Sequence, residues 1–210
     1  YHSLERGIAH FYTDQKSLDA AGHAVEVMRR FGVQRRLVSR AELLQIEPAF
    51  SAYGERITGG TYTSTDESGD ARLFTQQLAR RCAERGAQFL YGHDVLRLNK
   101  TGNTIDSVAV SAIQSGATGQ KHSILKGDAI VVACGSYSAP LLRSVGVDLP
   151  IYPGKGYSAT LPLLRPDQAP SVSLLDDQMK CAVSRLGNQL RVAGTIELGG
   201  GPEFAVSDGA

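Results

Sequence analysis

The 210-residue sequence is short of the features that would place it quickly. It has no tryptophan, two methionines and three cysteines, Cys82, Cys134 and Cys181. The cysteines are far apart, odd in number and outside any CxxC or Cys/His pairing. A disulfide scaffold and a zinc site are both disfavoured, and a reducing compartment is expected. Neither sign of charge dominates: 22 Lys and Arg face 21 Asp and Glu, for a net charge of +1. That balance argues against nucleic acid or an anionic membrane as a partner. No apolar run approaches the roughly 18 residues of a membrane span. The opening residues carry no leader pattern. Walker A and GxSxG motifs are missing, and Ser136 and Ser138 stand in no nucleophile elbow. The five histidines, at positions 2, 10, 23, 93 and 122, share no metal-ligand spacing. No metal site is expected, and no histidine is given a catalytic role.

What is present is an ordinary globular composition, 42% apolar and 20% charged, enough for one domain or two small ones. The stretch Gly127–Tyr157 organises the reading. Ala129-Ile130-Val131-Val132-Ala133 is apolar without alternation and predicts a strand covered on both faces. The small turn Cys134-Gly135-Ser136 follows, then a short helix capped by Ser138. Strand, tight glycine turn and helix is a geometry that brings backbone close to a ligand. Pro150 and Pro153 then space a connection.

In chain order, residues 7–12 alternate as a strand. Ser17 is expected to cap a helix whose face is Leu18, Ala21, Val25 and Met28 and which stops at Gly32. Ser39-Arg40-Ala41-Glu42 has the form of a capping box, starting a helix that must end before Pro48. Residues 57–63 predict a strand. Asp66-Glu67-Ser68-Gly69-Asp70 holds three carboxylates, but Asp70 stands where it caps the helix of Leu73, Phe74, Leu78 and Cys82, which ends at Gly86. The cap is the preferred reading over a catalytic acid. A strand is expected at 88–91. Three alternating segments, 95–98, 104–110 and 120–125, with turns at 100–103 and 115–119, predict an antiparallel meander set between parallel strands. Residues 156–163 predict a further strand, and 180–184 with 189–196 a hairpin across Leu186-Gly187-Asn188. The glycine-rich end from Leu198 is expected to fray. Gly154-Lys155-Gly156-Tyr157-Ser158-Ala159 is formally GxGxxA. Prolines at 150, 153 and 162 deny it the strand and helix that a dinucleotide fingerprint needs. The fold class is therefore mixed α/β (α+β) with antiparallel additions.

Five motifs in order carry a resemblance. They are Asp66–Asp70 before Phe74-Thr75, Tyr91-Gly92-His93-Asp94-Val95, Ala129–Ser138, Tyr152–Ser158, and Arg191-Val192-Ala193-Gly194-Thr195-Ile196-Glu197. Together they resemble the D-amino acid oxidase-like family of FAD-dependent oxidoreductases, in its branch of bacterial dehydrogenases, over residues 4 to about 199. Ala193 stands where relatives often have glycine.

The resemblance implies FAD as cofactor, held by Val95 at the adenine and by Ala133, Cys134 and Gly135 near the diphosphate and ribityl region. It implies Tyr157, Gly194 and Thr195 on the substrate side, although Tyr157 reads equally as a half-buried sheet tyrosine. Arg191 reads as a strand residue rather than a carboxylate clamp. The catalytic residues stay unassigned. The implied layout is a first part of a substrate domain at 1–64, an incomplete FAD-binding domain at 65–149 with the meander at about 93–126, and a second part of the substrate domain at 150–210. The family's opening GxGxxG unit and its closing arginine-bearing segment have no counterpart here, so an internal fragment is expected, inactive and weak in FAD by itself.

The implied parent oxidises D-amino acids to 2-oxo acids and ammonia, with hydride passing to flavin N5. Its implied electron acceptor is a membrane quinone chain, and its implied place is the bacterial cytoplasm, peripheral on the inner membrane. Two alternatives stay open: a sister glycine- or sarcosine-type amine oxidase, and a non-catalytic binding domain.

Overall fold

The computed structural model describes residues 5–113 and 122–198. Two compact units divide the chain: residues 1–82 with 155–197, and residues 83–154 with 198–210.

The first unit is built on a seven-stranded sheet. Its strands are β1 (Ile8–Tyr12), β2 (Arg35–Ser39), β3 (Gly59–Thr63), β7 (Gly154–Pro162), β8 (Ser173–Asp176), β9 (Cys181–Leu186) and β10 (Gln189–Leu198). Their order is β2-β3-β1-β8-β9-β10-β7. β1 pairs antiparallel with β3 and parallel with β8, in the register Ile8 to Ser173. The two sequence segments of this unit therefore meet at the middle of its sheet. Ala9, Phe11, Val38, Leu43, Phe50, Ile57, Val172 and Leu174 form its core. The rings of Phe11 and Phe50 meet edge to face at 5.0 Å, a favoured aromatic geometry.

Helix α1 (Gln15–Arg30) keeps Leu18, Ala21, Val25 and Met28 half-buried, the face expected from their spacing. Its cap is Asp14 rather than Ser17, whose amide donates to Asp14 Oδ1 at 2.8 Å. Asp14 takes the cap because Ser17 already lies within the first turn. Gly32 follows the helix at φ +83°, the left-handed stop that glycine provides. Helix α2 (Arg40–Ile46) starts at Ser39, whose Oγ accepts from the Glu42 amide at 3.2 Å. The Glu42 side chain does not return to close the box; it pairs with Arg36. A 3-10 turn, Pro48–Ala52, follows. Between them Glu47, 2% exposed, accepts from the amides of Ala49, Ser171 and Val172 and from the Ser171 hydroxyl. A buried carboxylate is tolerable because its lone pairs are filled this way.

Helix α3 (Ala71–Glu84) runs across the division between the units. Asp70 Oδ1 accepts from the Leu73 amide at 3.0 Å, as a cap should.

The second unit holds the meander: β4 (His93–Thr101), β5 (Thr104–Ala112) and β6 (His122–Lys126), antiparallel in that order. Leu98, Ala109 and Val110 are buried in it. Helix α4 (Ser138–Arg143) packs on β4, and its Ser138 and Ala139 are buried.

Two expected strands are absent from its ladders. Residues 88–91 and 129–133 join no sheet, and Val131 is 86% exposed. An apolar β-branched run becomes a strand only when neighbours accept its backbone hydrogen bonds, and the described residues of this unit supply none. The parallel setting expected for the meander is corrected accordingly. The expected 115–119 turn and the terminal segment from 199 lie outside the described residues. β2 and β8 were not anticipated. The run Arg35-Arg36-Leu37 has no core pattern, and four-residue β8 gives too short a signal.

Candidate functional site

Four of the residues expected at a cofactor lie in the second unit. Val95 sits in β4 opposite Val110, just before a bulge between Val95 and Arg97. Its side chain is 46% exposed. Ala133, Cys134 and Gly135 form the exposed turn that leads through a 3-10 turn into α4. Gly135 has φ +55°, and a Cβ placed there would point into open space. This is backbone without side-chain cover, held in a conformation that glycine adopts freely. Ser138 does not cap α4; its Oγ accepts from the Cys134 amide at 3.0 Å and fixes the turn. A helix this short leaves its serine free to bind back across the preceding residues. Small residues, an exposed backbone and a locked turn fit a cofactor that packs against main chain.

The residues expected on the substrate side, Tyr157, Gly194 and Thr195, lie in the first unit. β7, which carries Tyr157, and β10, which carries Gly194 and Thr195, are neighbours in the sheet. The Tyr157 hydroxyl donates to Glu197 Oε2 at 2.6 Å. Lys155 Nζ lies 3.8 Å from Glu197 Oε1, and its side chain is 16% exposed. Thr195 has φ +59°, a left-handed conformation costly for a β-branched residue. Arg191 Nε donates to Thr160 Oγ1 at 3.1 Å, consistent with a strand residue.

A second polar constellation was not visible in sequence. Tyr12 donates to Asp177 Oδ2 at 2.6 Å, and His10 Nδ1 lies 2.8 Å from the same oxygen. Lys180, at φ +52°, places Nζ 3.9 Å from Asp177 Oδ1. Burial, then the hydrogen bond to Asp177 and its charge, push the Tyr12 phenol well above its ordinary range. Burial also acts to raise Asp177, but the hydrogen bonds from Tyr12 and His10 and the charges of His10 and Lys180 outweigh it and hold that carboxyl below the usual range. The partners lie 165 to 167 residues apart, so no local spacing could have revealed them. Lys155 and Glu197 were missed for the same reason, although both stand inside motifs already singled out.

No helix among the described residues is long and apolar enough to cross a membrane.

A family model described as FAD dependent oxidoreductase, DAO, matches residues 2–209. D-amino acid dehydrogenase of Dechloromonas aromatica (strain RCB) is 49% identical over 95% of this chain and 47% of its own length. The like-named protein of Methylobacterium radiotolerans is 38% identical over 95% of this chain and 46% of its own. The chain thus spans about half the length of the curated relatives it matches. Among solved structures, glycine oxidase from Geobacillus kaustophilus superposes with a TM-score of 0.78 at 21% identity, covering 99% of this chain and 51% of that one. L-proline dehydrogenase from P. horikoshii does so with a TM-score of 0.78 at 17% identity, covering 98% and 52%. At such identities the likeness is one of fold. The family match along nearly the whole length carries the assignment, and the chain belongs to the DAO family of FAD dependent oxidoreductases.

Proposed function

We propose that the chain is part of a flavoenzyme that oxidatively deaminates D-amino acids to 2-oxo acids and ammonia. The observation that carries this reading is 49% identity over 200 residues to a protein named D-amino acid dehydrogenase. Residues 1–64 and 150–210 belong in this reading to a substrate domain, and residues 65–149 to an incomplete FAD-binding domain.

Within the chain, Ala133, Cys134 and Gly135 would hold FAD by close backbone approach, and Val95 would present main-chain groups to the adenine. The open space at Gly135 supports the first of these roles. When bound, FAD supplies the two-electron acceptor for the hydride leaving the substrate Cα. The chain's own part is to bind and orient: Tyr157, Gly194 and Thr195 would stand on the substrate side, carried by the neighbouring strands β7 and β10. The imino acid so formed hydrolyses in water to the 2-oxo acid and ammonia.

Exposed apolar residues in the second unit support a larger parent. Leu90 is 53% exposed, Tyr91 74%, Val131 86% and Tyr152 68%, more than an independent unit normally leaves in water. Residues 1–210 alone are therefore expected neither to retain FAD tightly nor to turn over.

The test is the whole protein, purified and given D- and L-amino acids with a reducible dye. Bound flavin and D-selective dye reduction are expected. A flavin-free whole protein, or one inert toward D-amino acids, overturns the reading. Electrons are expected to pass to a membrane quinone carrier at a bacterial inner membrane. Quinone-linked dye reduction exceeding hydrogen peroxide release checks this, and predominant peroxide would make the protein an oxidase. Gly135→Val should lower flavin content at least tenfold, because a side chain would enter the approach to the backbone at a left-handed φ.

A further inference from the structure

The parity of β10 changes along its length. Side chains alternate faces in a strand, so Arg191 and Glu197 should share one face. They do not. Arg191 reaches Thr160 on β7, whereas Glu197 reaches Lys155 and Tyr157. Thr160 and Tyr157 differ by an odd number of positions and so stand on opposite faces of β7. One residue has been inserted in β10 between the two contacts. Its place is marked: pairing with β9 runs to Ala193 opposite Ala182 and no further, and Thr195 follows at φ +59°. Gly194 lies against the start of β9, where a Cβ would stand 3.3 Å from the carbonyl oxygen of Lys180, the turn residue before that strand. This is a β-bulge, a device that re-aims a side chain and is over-represented beside active sites.

We infer that the bulge at Gly194–Thr195 exists to turn Glu197 onto the face that carries Tyr157 and Lys155, and that the Glu197 carboxylate there takes the ammonium group of the amino-acid substrate. The inference rests on the proposed D-amino acid oxidation. A carboxylate offers about four lone-pair sites. Tyr157 occupies one at 2.6 Å, and Lys155 at 3.8 Å is an ion-pair neighbour rather than a close hydrogen bond. Acceptor capacity therefore remains, on a side chain that is 34% exposed. The hydrogen bond from Tyr157 orients the carboxylate on that face. Isolated carboxylates on strands make no such preparation.

The experiment uses the whole flavoprotein and compares two ligands, a D-amino acid substrate and a simple aliphatic carboxylate that perturbs the flavin spectrum without carrying an ammonium. Glu197→Gln should raise KM for the D-amino acid about ten- to a hundredfold, the range of a lost charge-assisted hydrogen bond, with kcat changed far less. Its spectral affinity for the carboxylate should stay within about twofold of wild type, and Glu197→Asp should recover part of the KM. Equal weakening of both ligands, or an unchanged KM, overturns the inference. Should the Gln variant lose flavin or fail to fold, Tyr157→Phe removes only the hydroxyl and must show the same split between ligands in smaller measure; no split there also overturns it. A wild-type protein inert toward D-amino acids would instead overturn the parent reading, and the two failures are separate.

Discussion

Single side chains in this molecule are fixed by partners far away in sequence. The Asp177 carboxylate has two buried donors, and the titrations of Tyr12 and of Asp177 itself set a pH dependence. The folded state raises the Tyr12 pKa above its ordinary value near 10. Its stabilising contribution is therefore complete below pH 10 and is lost as pH rises toward the folded value. Asp177 is lowered, so its contribution is present above the ordinary carboxylate value and is lost as pH falls through the folded one. Tyr12→Phe should remove the alkaline loss, measured as the slope of unfolding free energy against pH above 10. Thr195 sits in a conformation that costs of order 1–3 kcal/mol for a non-glycine residue. Thr195→Gly should accordingly raise the midpoint of chemical denaturation.

At the scale of elements, the sheet is closed by glycine where strands crowd. A Cβ at Gly60 would run into the His10 carbonyl oxygen on β1 and press on Leu43. Gly60→Ala should cost about 3 kcal/mol or more, read by urea unfolding, because backbone rather than a flexible side chain must yield. Asp70→Ala should cost only about 1 kcal/mol, the ordinary worth of a cap. These elements divide by how local their signals are. α1 was readable from Leu18, Ala21, Val25 and Met28, and α3 from Asp70 and Gly86. The meander was readable from alternation, and the 181–198 hairpin from Leu186-Gly187-Asn188. Residues 88–91 and 129–133 carry strand chemistry without ladder partners, so propensity and outcome part there. At the candidate site, the Cys134-Gly135 turn could be read because glycine announces a special φ. The Glu197 cluster and the His10–Tyr12–Asp177 cluster could not, since each depends on strand register across the sheet.

At the scale of the whole molecule, the first unit is discontinuous. Residues 1–82 supply β1, β2 and β3, and residues 155–197 supply the strands that complete the sheet. The buried carboxylate of Glu47 crosses that gap, binding the Val172 amide 125 residues later. Its donors at Ser171 and Val172 do not exist when it is first made. At translation rates of about 5–20 residues per second, the donors at 171 and 172 follow it by roughly 6–25 s. For that interval the segment already made lacks the amides that allow this carboxylate to be buried, and the apolar residues around it cannot close. The ribosome thus imposes an obligatory delay on this unit, during which its earliest strands are the ones a chaperone would meet.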